Sequence, residues 1–213
     1  MAKLIGRCDY QLKITLSRSR PPIWRRVIVP DTMLLPEFHK VIQRAMGWED
    51  YHLHEFNVGG QRFGVPDLDW PTEVINESGV MLNQIFSAEK QKIGYLYDFG
   101  DSWEHAILLE KILPRIGVAL PPRCVTGKRA CPPEDCGGIY GYYHLLDVLE
   151  DPQHPEHESL AEWADDEIDP CPAWGLALMD RSNFTAEWCQ HRYSGTRFFV
   201  SESYPAVIRY RDR

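Results

Sequence analysis

Tyr10, Leu12, Ile14 and Leu16 alternate with Gln11, Lys13, Thr15 and Ser17. A period of two sustained over this length fits a strand that buries one face and little else. The turn-prone run Ser17-Arg18-Ser19-Arg20-Pro21-Pro22 follows, and then the β-branched segment Ile23 to Val29, ended by Pro30, reads as the partner strand. The chain therefore opens on a β-hairpin whose apolar face needs a cover. A helix supplies it: Phe38, Val41, Ile42, Ala45 and Met46 fall at i, i+3, i+4, i+7 and i+8, with Pro36 in the first turn and Gly47 as C-cap.

Leu53 to Val58, the turn Gly59-Gly60 and Gln61 to Val65 predict a second hairpin. A loop rich in Pro, Asp and Asn runs to Gly79, and Val80 to Phe86 reads as a short helix. Lys92 to Tyr97 and Ser102 to Lys111 form a strand pair around the turn Asp98-Phe99-Gly100-Asp101. Leu113 to Gly138 is dense in Pro, Cys and Gly and reads as a loop. Helices then follow at Tyr140 to Glu150, with Tyr142, Leu145, Leu146 and Leu149 on one stripe, and at Pro155 to Asp165, around Leu160 and Trp163. The expected class is α+β: an antiparallel sheet built from hairpins, helices packed on it, a Cys/Pro/Gly-rich loop, and acidic C-terminal helices. One domain over 1–170 is expected, with a divergent tail over 171–213 that holds a helix at Phe184 to Tyr193.

No stretch approaches the roughly 18 to 20 apolar residues that span a bilayer, and Met1 to Tyr10 lacks the apolar block of a signal peptide, so a cytoplasmic protein without membrane contact is expected. In a reducing compartment the six cysteines are thiols or metal ligands rather than disulfides. A net charge of -8 argues against a chain that coats nucleic acid. The charge is uneven. Between Gly137 and Asp180 there are acids, among them Asp147, Glu150, Asp151, Glu156, Glu158, Glu162, Asp165, Asp166, Glu167 and Asp169, and no Lys or Arg. That block is a solvated face or a docking surface for a basic protein partner.

Several long motifs stand out: Ile23-Trp24-Arg25-Arg26; Met46-Gly47-Trp48 with His52-Leu53-His54-Glu55-Phe56; Tyr97-Asp98-Phe99-Gly100-Asp101-Ser102-Trp103-Glu104-His105; Ala130-Cys131-Pro132-Pro133-Glu134-Asp135-Cys136-Gly137-Gly138; and Asp151-Pro152 with His154-Pro155-Glu156-His157. Over roughly residues 8 to 170 the chain resembles the plasmid pRiA4b ORF-3-like family of bacterial and archaeal proteins. The resemblance implies an α+β fold and brings no activity with it. After Ile168-Asp169-Pro170 this sequence departs from the family pattern, so the resemblance is carried no further than Pro170.

Three constellations of residues could carry chemistry. The first is a structural zinc site from Cys124, Cys131, Cys136 and His105, since zinc takes four Cys or His ligands and Pro132-Pro133 would stiffen the loop that wraps it; the spacing is not the usual two close cysteine pairs. The alternative is a core histidine with cysteines as small buried hydrophobes. His52 and His54, on one strand face with Phe56, carry the same ambiguity. The second is a metal-dependent hydrolase at the 98–101 turn, using His105 with Asp98 and Asp101, near Glu104 and with Glu134 and Asp135 as further carboxylates. A Cys131 nucleophile with His105 as base is a variant of it. The third is nucleic-acid contact through Arg18, Arg20, Arg25 and Arg26 around Trp24; but Arg25 and Arg26 must face opposite sides of their strand, and one suits an internal pair with Asp98 or Asp101. Trp24, Trp48, Tyr97, Phe99 and Trp103 line a pocket or fill the core. The reading adopted is a non-enzymatic binding or interaction module, with the hydrolase and a nucleic-acid-associated protein of mobile elements as alternatives.

Overall fold

The computed structural model describes residues 8–66, 73–118 and 120–167, with side chains to Ala164. The boundary expected at Pro170 and the tail from Cys171 lie outside the described residues. The opening hairpin pairs β1 (Cys8–Leu16) with β2 (Trp24–Pro30) antiparallel, Thr15 opposite Trp24 and Asp9 opposite Pro30. Helix α1 (Leu35–Met46) follows and ends where Gly47, at φ 90°, takes the left-handed conformation that glycine tolerates best. Next come β3 (His54–Val58), β4 (Gln61–Gly64), β5 (Val74–Asn76), a 3₁₀ turn (Glu77–Gly79) and the short α2 (Leu82–Ile85). The chain continues through β6 (Lys92–Tyr97), β7 (Trp103–Pro114), β8 (Arg123–Lys128), α3 (Gly138–Glu150) and α4 (His157–Glu167).

The strands form one 8-stranded sheet in the order β5-β4-β3-β6-β7-β1-β2-β8. The long central strand β7 lies between β6 and β1, antiparallel to both. One sheet face is apolar: Leu12 and Ile14 of β1, Val27 and Val29 of β2, Ile107 and Leu109 of β7, Tyr95 and Tyr97 of β6 and Phe56 of β3 are all buried. The stripe of α1 joins the same core, with Phe38 stacked on Phe56 at 6.0 Å. Ile139, Tyr142 and Leu146 of α3 extend it. The opposite face carries polar, half-exposed residues, among them Arg26 bonded through Nε and Nη2 to Glu110 at 2.6 and 2.9 Å, with Trp24 between Lys13 and Arg26.

Two details depart from the sequence expectation. The sheet is mixed, because β4 and β5 pair in parallel; β5 was hidden in the predicted loop because it has three residues, of which Ile75 and Asn76 are exposed. The predicted loop from Leu113 to Gly138 is also partly strand: β7 runs on to Pro114, and β8 adds to the sheet by pairing with β2, which puts Cys124 opposite Val27. A short edge strand preceded by Pro121 and Pro122 and interrupted by Gly127 gives no periodicity to read. Among the described residues no helix is long and apolar enough to cross a membrane.

Candidate metal centre

Segments 47–53, 98–102 and 131–138 meet at one end of the sheet. Asp98 stands where β6 gives way to its turn, at φ 56°. Its N–H donates to Leu53 O at 2.9 Å, its carbonyl accepts from Ser102 N at 2.7 Å, and Oδ1 accepts from Gly100 N at 2.8 Å. With Oδ1 committed to the turn, Oδ2 lies 3.8 Å from His52 Nε2. The same nitrogen is 3.1 Å from Asp135 Oδ1. One ligand atom each from His52, Asp98 and Asp135 lie within 4.8 Å of one another, and among the described residues these three form the one such group. His52 Nε2 is itself buried without a well-directed hydrogen bond. Asp98 is 11% exposed at the side chain and Asp135 62%, so the group opens to solvent on one side.

The loop carrying His52 is fastened at every residue. Trp48 Nε1 donates to Pro132 O at 3.0 Å, and Glu49 N to Glu134 Oε2 at 2.7 Å. Asp50 pairs with His39 Nε2 of α1 at 2.5 Å, while His39 Nδ1 meets Tyr95 OH at 2.8 Å and its ring stacks on His54 at 3.5 Å. Burial first, and then His54, hold His39 below the usual histidine range. The hydroxyl of Tyr97 accepts from Tyr51 N at 3.1 Å and His52 N at 3.4 Å and donates to Glu134. One phenol thus ties the backbone of the His52 segment to the residue preceding Asp135. Burial, and then the bond to Glu134, push its ionisation upward, so it remains a donor at any ordinary pH. Replacing Tyr97 by Phe is expected to weaken cation binding about tenfold, as loss of a ligand's supporting hydrogen bond does, while the buried ring and its stack on Trp48 at 5.1 Å keep the fold. Titration calorimetry with zinc checks this; an unchanged affinity would show that the loops hold without the hydroxyl.

The other residues singled out from the sequence go elsewhere. Cys124, Cys131, Cys136 and His105 do not assemble as a ligand set. The Cys124 thiol faces Thr126 O at 3.7 Å, Cys131 lies 3.1 Å from both Met46 Sδ and Arg25 Nη2, and Cys136 faces Gly138 O at 3.9 Å. Burial, with Asp101 adding to it, pushes the Cys136 thiol up to about 12, so it stays protonated. His105 is 2% exposed, gives Nδ1 to Trp103 O at 2.9 Å and packs against Trp48 and Tyr95. Its burial lowers it to about 4, so it is a neutral core imidazole. Asp101 accepts from Gly137 N at 3.1 Å, which secures the start of α3. Of the expected trio Asp98, Asp101 and His105, Asp98 alone joins the cluster. His52, left ambiguous by its strand pattern, replaces His105, and Asp135 was within reach as a neighbouring carboxylate. Of the four arginines, Arg25 is fully buried and Arg26 pairs with Glu110 rather than with Asp98 or Asp101, while Arg18 and Arg20 are exposed, Arg18 lying 3.6 Å from Glu104.

The model of the family described as plasmid pRiA4b ORF-3-like protein matches residues 8–175. The chain is 40% identical over 154 residues to a curated relative named uncharacterized protein y4hQ, from Sinorhizobium fredii (strain NBRC 101917 / NGR234), covering 72% of this chain and 79% of that one. It is also similar to the crystal structure of a protein of unknown function, MM3350, from Methanosarcina mazei Go1, with a TM-score of 0.71 and 37% identity over 85% of this chain and 97% of that one. With the whole of the sheet and both acidic helices inside the matched span, the chain belongs to the plasmid pRiA4b ORF-3-like family.

Proposed function

We propose that the chain is a divalent-cation-binding interaction module, with His52, Asp98 and Asp135 as protein ligands and zinc as the ion. The observation that carries this is the spacing at His52 Nε2, 3.1 Å from one carboxylate and 3.8 Å from the other. Ligand atoms on a tetrahedral zinc with bonds of about 2.0–2.1 Å stand roughly 3.3 Å apart, and the two distances bracket that value. One imidazole and two carboxylates also suit borderline first-row ions. The test is elemental analysis of protein purified without chelator, followed by calorimetry. About one zinc per chain is expected, and Asp98→Asn, which keeps the shape but removes the charge, should weaken binding more than about tenfold. Equal zinc affinity in the variant would overturn the proposal.

A metal-dependent hydrolase is the second reading, and the ligand count favours it. Three protein ligands leave a position for water, as catalytic zinc sites do, and in this version His52 and Asp135 stand in for His105 and Asp101. At the other end of the chain, Asp147, Glu150, Asp151, Glu156, Glu158 and Glu162 are all exposed, and no Lys or Arg lies between Gly137 and Glu167. That pattern supports a basic protein partner at α3 and α4.

A further inference from the structure

We infer that the open side of the cation site takes a neutral aromatic nitrogen donor on an apolar body, an imidazole above all, in preference to an oxyanion; this rests on the cation reading above. The ligand set leaves room for it, since three protein donors do not complete a tetrahedral ion. Charge then decides between ligand classes. The three segments that meet here, 47–53, 98–102 and 131–138, hold six carboxylates, Glu49, Asp50, Asp98, Asp101, Glu134 and Asp135, and no Lys or Arg. A divalent ion balances Asp98 and Asp135, and the four others leave the surroundings negative. A carboxylate or phosphate approaching the ion therefore comes up to loops of net negative charge, whereas a neutral imidazole is not repelled by them. The rim gives the second criterion. Tyr51 is 72% exposed, Leu53 63% and Phe99 51%; they flank the ligands His52 and Asp98 directly in the chain, and the Leu53 and Asp98 backbones are hydrogen-bonded. Exposed large apolar residues taken singly are ordinary. Three exposed large side chains next in the chain to two of the ligands favour a ligand whose donor is attached to an aromatic or aliphatic body.

The experiment loads the full chain with Co²⁺ and follows its visible bands while titrating imidazole, 4-phenylimidazole, benzoate, inorganic phosphate and a doubly blocked Phe-His dipeptide. 4-Phenylimidazole is expected to bind at least about fivefold tighter than imidazole, because the rim covers its phenyl group, and benzoate and phosphate at least about fivefold weaker than imidazole. Phe99→Ala should bring 4-phenylimidazole down toward imidazole, with cobalt occupancy read from the same spectrum. If the dipeptide binds tighter than 4-phenylimidazole, the donor is a histidine of a protein segment; if weaker, it is a small heteroaromatic. Cobalt bands with tighter benzoate or phosphate would overturn the inference and leave the cation site standing. No cobalt bands at all would overturn both.

Discussion

Replacing Arg25 by alanine is expected to lower the stability of the protein by about 3–5 kcal/mol, as loss of a buried, hydrogen-bonded cation does. The side chain is fully buried, and its donors reach four places. Nε donates to Ala45 O at 2.9 Å, Nη1 to Trp24 O at 3.0 Å and Lys128 O at 3.2 Å, and Nη2 to Cys131 Sγ at 3.1 Å. Ala45 lies in the last turn of α1, where carbonyls lack helical partners and the helix dipole favours a cation. One guanidinium therefore joins the end of α1, strand β2, the end of β8 and the segment leading to Asp135. Alanine would strand those acceptors and leave a cavity. Lysine offers its donors from a single point and cannot span the same set, so Arg25→Lys should recover only part of the loss. Urea unfolding with an unchanged slope measures it. A loss below about 1 kcal/mol for Arg25→Ala would mean that the four segments hold without the cation.

Arg25 also marks what could be read from the residues alone. Alternation in β2 puts Arg25 and Arg26 on opposite faces, and that holds, with Arg25 at 0% exposure and Arg26 on the open side against Glu110. Its partners were not legible, because they are backbone carbonyls and a thiol brought in by tertiary contact, and carbonyls carry no sequence signature. The same contrast runs through the fold. Strands with a clear period, β1 and β6, and α1 with its proline start and glycine stop, lie within a residue or two of where their patterns predict. β5 and β8 have three and six residues at or near the sheet edges and show no usable period.

For the site, the motifs named the right segments and only some of the right atoms. Asp98 was legible because an aspartate at a tight turn is a candidate for either turn bonding or ligation, and here its two oxygens divide those roles. His105 was a misleading candidate. It shares a face with Trp103 and Ile107, but that face is the core, and a histidine there stays neutral. His52 precedes β3, so its direction depends on the fastening of 48–52 to Pro132, Glu134, His39 and Tyr97. Periodicity is silent about such loop-to-loop bonds, and they are what assemble the cluster.

Acidification gives the second large effect, and His105 sets its sign. Burial lowers the imidazole to about 4 in the folded protein, against about 6.5 in an unfolded chain. Above about pH 6.5 neither state holds the proton, and the full stability is present. As the pH falls from there toward 4 the unfolded chain takes up a proton that the folded protein refuses, so stability drops. Between pH 7.5 and pH 5.0 this one group should remove about 2 kcal/mol, from the proton-linkage relation. His39, lowered mainly by burial, acts in the same direction. Glu134, raised mainly by burial, acts in the opposite one, since the folded protein protonates it first. The comparison that isolates His105 is therefore wild type against His105→Phe, a ring suited to the cage of Trp48 and Tyr95. Between the two pH values the unfolding free energy from urea titration should fall for wild type by about 2 kcal/mol more than for the variant. Parallel losses in the two proteins would place the acid sensitivity elsewhere and require that His105 take up its proton within the fold, which its surroundings of Trp103, Trp48 and Tyr95 disfavour.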